Sequence, residues 1–185
     1  MRLLMDIIKK LTKRNTKFLN KEKFMEWFFT QSYHAWILKN DHYFQAFQSI
    51  INTLEIKTIE NLWQEREIAF IKAEGNLSCA IDAPKHLKFI LCFPELLQFL
   101  RSDASELGKS IIFHELGHIF HKHNQKNTDQ LKAQFEADEF AYFHGYGEQI
   151  IDVIDDYRHL EDNRKRIINI QKMLINDKRS QNIVI

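Results

Sequence analysis

The sequence predicts an α+β fold, a mostly helical domain with a small sheet of about three strands beside one chemistry-bearing helix. Three observations carry that reading. The chain has 185 residues, the size of one domain with its own core. Five Gly and two Pro fall far below the usual shares of about 7% and 5%, which disfavours a many-stranded sandwich and long linkers. Apolar residues recur at helical spacing through most of the chain and give way to short, partly β-branched runs only between residues 67 and 93.

In order along the chain, Leu3, Leu4, Ile7, Ile8 and Leu11 share one helical face, with Lys9, Lys10, Lys13 and Arg14 largely around it. Further helical stretches run from about Lys21 to Lys39 and from about Tyr43 to Arg66. Glu67–Ala73, Leu77–Ile81 and His86–Phe93 read as strands, with Glu74-Gly-Asn as a turn between the first two. Pro94 suits a first helical position, and Asp103 with Glu106 resembles a capping box ahead of the next apolar run. Gly145 and Gly147 break the helix that follows near His144, and a charged helical tail spans about Glu148 to Asp177. The expectation is a single domain over 1–185: N-terminal helices of no assigned role (1–66), a core (67–160) and a helical tail (161–185).

Composition removes several function classes. With 26 basic and 25 acidic residues the net charge is +1, so overall charge does not mark a nucleic-acid binder. Basic residues outnumber acidic ones eight to two in the first 24 positions, so that helix is either a solvated face or a docking surface for nucleic acid or anionic membrane. No apolar run reaches the ~18–20 residues of a membrane helix. The opening residues lack the apolar region and cleavage site of an export signal, and Cys79 and Cys92 are not spaced as CxxC. A cytoplasmic protein with two buried cysteines is expected.

The informative segment is His114-Glu115-Leu-Gly-His118, an H-E-x-x-H motif inside an apolar helical run. Residues four apart lie about 40° apart on a helix, so both imidazoles project toward one point and can bind a single Zn²⁺. Glu115 then points to where a metal-bound water would sit and can move its proton to a leaving amine. A chain of this length matches the pattern by chance about once in 200, which favours the metal reading. His121, seven residues after His114, and His123 are weak candidates for a third ligand. The pattern with Gly at 121 and His at 124 is excluded, since His121 and Asn124 stand there.

The third ligand is expected from the next helix, Gln134-Phe-Glu136-Ala-Asp138-Glu-Phe-Ala141. At these two motifs the chain resembles the ImmA/IrrE family of gluzincin-type metallopeptidases, with HELGH and a segment like E-x-E-A-N-x-F-A. More distantly it resembles the HtpX and CAAX prenyl protease family, with HExxH, E-x-x-A-D and a Gly-rich stretch like Gly145-Tyr-Gly147. The resemblance covers about residues 86 to 155. It implies a zincin-like fold, a Zn²⁺ cofactor, hydrolysis of a peptide bond in a protein substrate such as a transcriptional regulator, and a role for Asp138 in orienting a zinc histidine.

The chain departs from both families at one ligand. The metal-binding glutamate stands four residues before the Asn or Asp, and here that position is Gln134. A neutral amide oxygen is a weaker zinc ligand than a carboxylate. Glu136 lies about 200° around the helix from Gln134 and needs a local shift to take its place. Three readings stay open: Gln134 binds through its amide, Glu136 binds after a register change (slightly preferred for its charge), or two histidines are the only firm ligands. For the oxyanion, Tyr142, His144, Tyr146, Tyr157 and His159 are on hand, with none singled out. The expected function is a zinc metallopeptidase. The rival is a pseudo-peptidase that grips a partner without cutting it, which Gln134 favours and Glu115 opposes.

Overall fold

The computed structural model describes residues 20–64, 67–73, 78–82, 87–123 and 128–182. The basic face of Lys9, Lys10, Lys13 and Arg14 and the Glu74-Gly-Asn turn lie outside them. The elements are α1 (Lys21–Thr30), a 3₁₀ turn (Ser32–His34), α2 (Asp41–Thr53), α3 (Ile56–Trp63), β1 (Glu67–Lys72), β2 (Ser78–Asp82), β3 (Leu87–Cys92), α4 (Pro94–Leu100), α5 (Ser105–Phe120), α6 (Gln130–Phe143), α7 (Gly147–Asp155) and α8 (Glu161–Asn182). The class is α+β, as expected, and among the described residues no helix is long and apolar enough to cross a membrane.

The helix boundaries correct the sequence in four places. The tail expected from Glu148 to Asp177 is two helices, α7 and α8, parted by a turn at 156–160. The stretch expected to run to Lys39 stops at Thr30, where Gln31 turns extended. Apolar spacing continues across the following 3₁₀ turn, so periodicity alone does not reveal the stop. Asn40 then restarts the chain, its side chain accepting from the His42 and Tyr43 N–H groups. The stretch from Tyr43 to Arg66 is two helices, because Leu54 is extended and fully buried between them. The capping box at Asp103 does not form: Ala104 is the cap, and Glu106 pairs with Lys109 at 2.6 Å.

The three strands fall where expected, but β3 sits in the middle of the sheet. It pairs parallel with β1 and antiparallel with β2. The two edges are treated differently. At β1, the Phe70 N–H donates to His34 Nε2 and the Phe70 carbonyl accepts from Trp36 Nε1, so side chains occupy backbone groups that would invite another strand. At the other edge, β2 packs against α5. Inside the sheet, Lys88 is buried and donates to the Ile119 carbonyl at 3.3 Å, which fastens β3 to the last turn of α5.

An aromatic cluster of Phe24, Phe28, Phe47, Trp63 and Phe70 joins α1–α3 to β1, with ring centroids 4.8 Å apart for Phe24–Trp63 and 4.9 Å for Phe47–Phe70. His34 is fully buried in this cluster and donates from Nδ1 to the Phe28 carbonyl, so the ring is neutral. Burial pushes its pKa down to about 4. The unfolded chain therefore takes up a proton between pH 6.5 and 4 that the folded chain refuses. Stability is fully present above pH 6.5 and falls by about 3 kcal/mol as pH drops to 4. Urea unfolding of wild type against His34→Gln, which cannot titrate, should show that extra loss only in wild type. Parallel pH profiles would contradict it.

Every residue of α5 from Gly108 to Gly117 is buried, the polar Lys109, Ser110, His114 and Glu115 among them. It lies among α4, α6, α7 and β2. Gly117 sets the distance to α6: a Cβ there would stand 2.8 Å from Ala137 Cα and 2.9 Å from Phe140 Cβ. The two backbones touch at Gly117 and Ala137, which places positions 134 and 138 beside the histidines of α5. Gly117→Ala should force the helices apart and cost about 1–3 kcal/mol, read from the urea midpoint. An unchanged midpoint would mean that α6 shifts freely.

Candidate metal centre

The helix geometry brings His114 and His118 together as their spacing requires, with the two Nε2 atoms 3.1 Å apart. Two nitrogens each about 2.0–2.1 Å from one zinc in a tetrahedral site lie about 3.4 Å apart, so the pair needs only a small opening to hold one. His114 Nδ1 is 2.8 Å from Asp138 Oδ1. Asp138 is fully buried, and Arg166 of α8 grips both of its oxygens at 2.7 and 2.8 Å. Burial pushes this carboxyl's pKa up, but the hydrogen bonds from Arg166 and His114 prevail and hold it below its usual range. An ionised carboxylate only accepts, so His114 carries its proton on Nδ1 and turns the Nε2 lone pair toward His118.

His118 is held neutral by burial and by its histidine neighbours, its pKa pushed down to about 3. A neutral imidazole is the form that binds a metal.

The two candidates for the third ligand separate clearly. The Gln134 amide nitrogen lies 3.5 Å from His118 Nε2, on the side of the histidine pair. Half a turn about the amide plane puts Oε1 there instead. Glu136 is turned away and hydrogen-bonds His123 Nε2 at 2.7 Å, which holds its carboxyl below the usual range. α6 is regular across both positions, so Gln134 lies on the side of the histidine pair and Glu136, the slightly preferred candidate, lies on the side of His123. His121 and His123 both lie near Glu136.

Glu115 is buried, and its charge is felt at the sheet. Burial raises the pKa of the Cys92 thiol at the end of β3, and the Glu115 charge raises it further. Cys92 is therefore an inert core residue. The Cys79 side chain lies outside the described residues. Beside Glu115 and His114 is a cavity of about 150 Å³ lined by Ile111, Ile150, Val153, Ile154 and Arg166.

The oxyanion candidates have other occupations. Tyr142 hydrogen-bonds Asp177, His144 donates to the Phe140 carbonyl at 2.7 Å, and Tyr146 hydrogen-bonds Ser49 and Thr53. Tyr157 and His159 are exposed. Sequence reasoning missed Arg166, which stands in a stretch that reads as a charged surface helix. It also missed the contact of His118 Nδ1 with His123 Nδ1 at 2.8 Å. Compared with protein-family models, curated proteins and solved structures, the chain matches none.

Proposed function

We propose that this chain is a cytoplasmic, zinc-dependent metallopeptidase of the ImmA/IrrE kind that hydrolyses a peptide bond in a protein substrate. The observation that supports it is the convergence of His114 Nε2, His118 Nε2 and the Gln134 amide, with Glu115 next to His114 in sequence and lining the same cavity. Two imidazoles and an oxygen-bearing side chain suit zinc, which, when bound, supplies Lewis acidity and water of lowered pKa. Asp138, clamped by Arg166, fixes the tautomer and direction of His114. Glu115 takes the proton of the attacking water and hands it to the leaving amine. An extended substrate pairs along β2, the edge strand next to α5, and sets an apolar side chain in the cavity beside Glu115. That the substrate is a protein such as a transcriptional regulator follows from the resemblance.

Metal per chain, measured by mass spectrometry, tests the reading: close to one zinc in wild type, lost in His114→Ala/His118→Ala, supports it. No metal after zinc is supplied would remove it.

A second reading, a pseudo-peptidase that binds a partner without cutting, is favoured by the amide at 134. Gln134→Glu discriminates. The carboxylate should tighten zinc at least about tenfold and raise cleavage if the native centre is an attenuated enzyme. Tighter zinc without any cleavage would favour the binding module, and no change in zinc affinity would show that position 134 does not reach the metal.

A further inference from the structure

Beyond the end of α5 the chain makes an unusual turn. Lys122 has φ of 58°, the left-handed region that few non-glycine residues occupy. This turn lays the His121 and His123 rings side by side, 10° from parallel with centroids 5.5 Å apart, on the side of α6 that carries Glu136. One nitrogen of each histidine and one oxygen of Glu136 lie within 4.8 Å of one another. His123 is buried, while the side chain of Glu136 is 30% exposed, so the cluster is anchored inside and open to solvent at one corner.

We propose that His121, His123 and Glu136 form a second transition-metal site, and that an ion there opposes an ion at His114 and His118. Two imidazoles and a carboxylate suit Zn²⁺, Co²⁺, Ni²⁺ or Cu²⁺ and not the oxygen-seeking Mg²⁺ or Ca²⁺. The opposition comes from the contact between His118 Nδ1 and His123 Nδ1, since a neutral imidazole carries one N–H and one of the two rings must donate. When His118 donates, its Nε2 is left with a lone pair for the first ion. His123 then has its proton on Nε2, 2.7 Å from Glu136, and the second site is closed. When His123 donates, its Nε2 lone pair and the Glu136 oxygen face one point and can take an ion, while His118 Nε2 carries the proton. The existence of the second site is independent of the peptidase reading. The opposition rests on His114 and His118 holding metal.

The test is Co²⁺ and Zn²⁺ titration of chelator-stripped protein, with metal per chain by mass spectrometry and cobalt absorption as the spectroscopic readout. His114→Ala/His118→Ala should still bind one ion, at least about tenfold more tightly than wild type binds its second, because His123 is freed of His118. Adding His121→Ala and Glu136→Gln should abolish that ion. Circular dichroism checks folding, and His121→Ala alone, on a surface turn, serves as the mild variant and should weaken the same ion. No ion in His114→Ala/His118→Ala under excess zinc would overturn the site. Equal second-ion affinity in wild type and in that variant would overturn the opposition. Absence of peptide hydrolysis would bear on the proposed function alone.

Discussion

Replacing Asp138 by alanine is expected to cost about 3–5 kcal/mol of folding stability, because it strands a cation inside the protein. Asp138 is fully buried and takes two hydrogen bonds from Arg166, whose side chain is only 12% exposed, and one from His114. Without the carboxylate, the guanidinium keeps its desolvation penalty and loses its partner. The imidazole also loses the acceptor that fixes its tautomer, so zinc affinity should fall about 10- to 100-fold. Urea unfolding of the metal-free protein and zinc competition against a chelator measure the two effects separately. The double variant Asp138→Leu/Arg166→Met separates them further: much of the stability should return, since a buried ion pair is often replaceable by apolar packing, but zinc affinity should not. A single-variant loss below about 1 kcal/mol would show that Arg166 finds water or another anion.

Glu115→Gln should lower kcat for a peptide substrate by about 10²- to 10⁴-fold while leaving bound zinc and unfolding midpoint near wild type. The amide keeps the shape of the carboxylate, so the packing of α5 against the sheet is preserved. It cannot take a proton from water. Cleavage within a few fold of wild type, in a variant shown to carry zinc, would remove Glu115 from the reaction and with it the proposed proton path.

Much of the fold was legible because its signals are local. The strands announce themselves as short β-branched runs, and Pro94 opens α4 as its fixed φ suggests. The errors arise where a tertiary contact decides. Leu54 breaks a continuous helical pattern by turning into the core, and Asp103 gives up its capping role although its neighbours fit the motif. At the candidate site, the four-residue spacings of His114 to His118 and of Gln134 to Asp138 were enough to tell which side chains would lie together, because each is a property of one helix. The choice between Gln134 and Glu136 was also present in that spacing. The stronger ligand chemistry of a carboxylate pulled toward Glu136, whereas the 200° rotation between the two positions told which of them would face His118. Arg166 was not legible: it meets Asp138 across 28 residues and a helix–helix interface, and its neighbours Arg164 and Lys165 give the same local signal.

The clamp that Arg166 places on Asp138 also joins the two ends of an energetic cycle. Arg166 belongs to α8, a helix whose outer surface is largely exposed and which packs on α6 and α7. Whatever factor the docked helix contributes to ion affinity, the ion must return as the same factor in helix docking. If the centre holds an ion, chelation should therefore accelerate amide hydrogen exchange along α8 before it affects the sheet, so that occupancy of a buried centre is readable on a largely exposed helix.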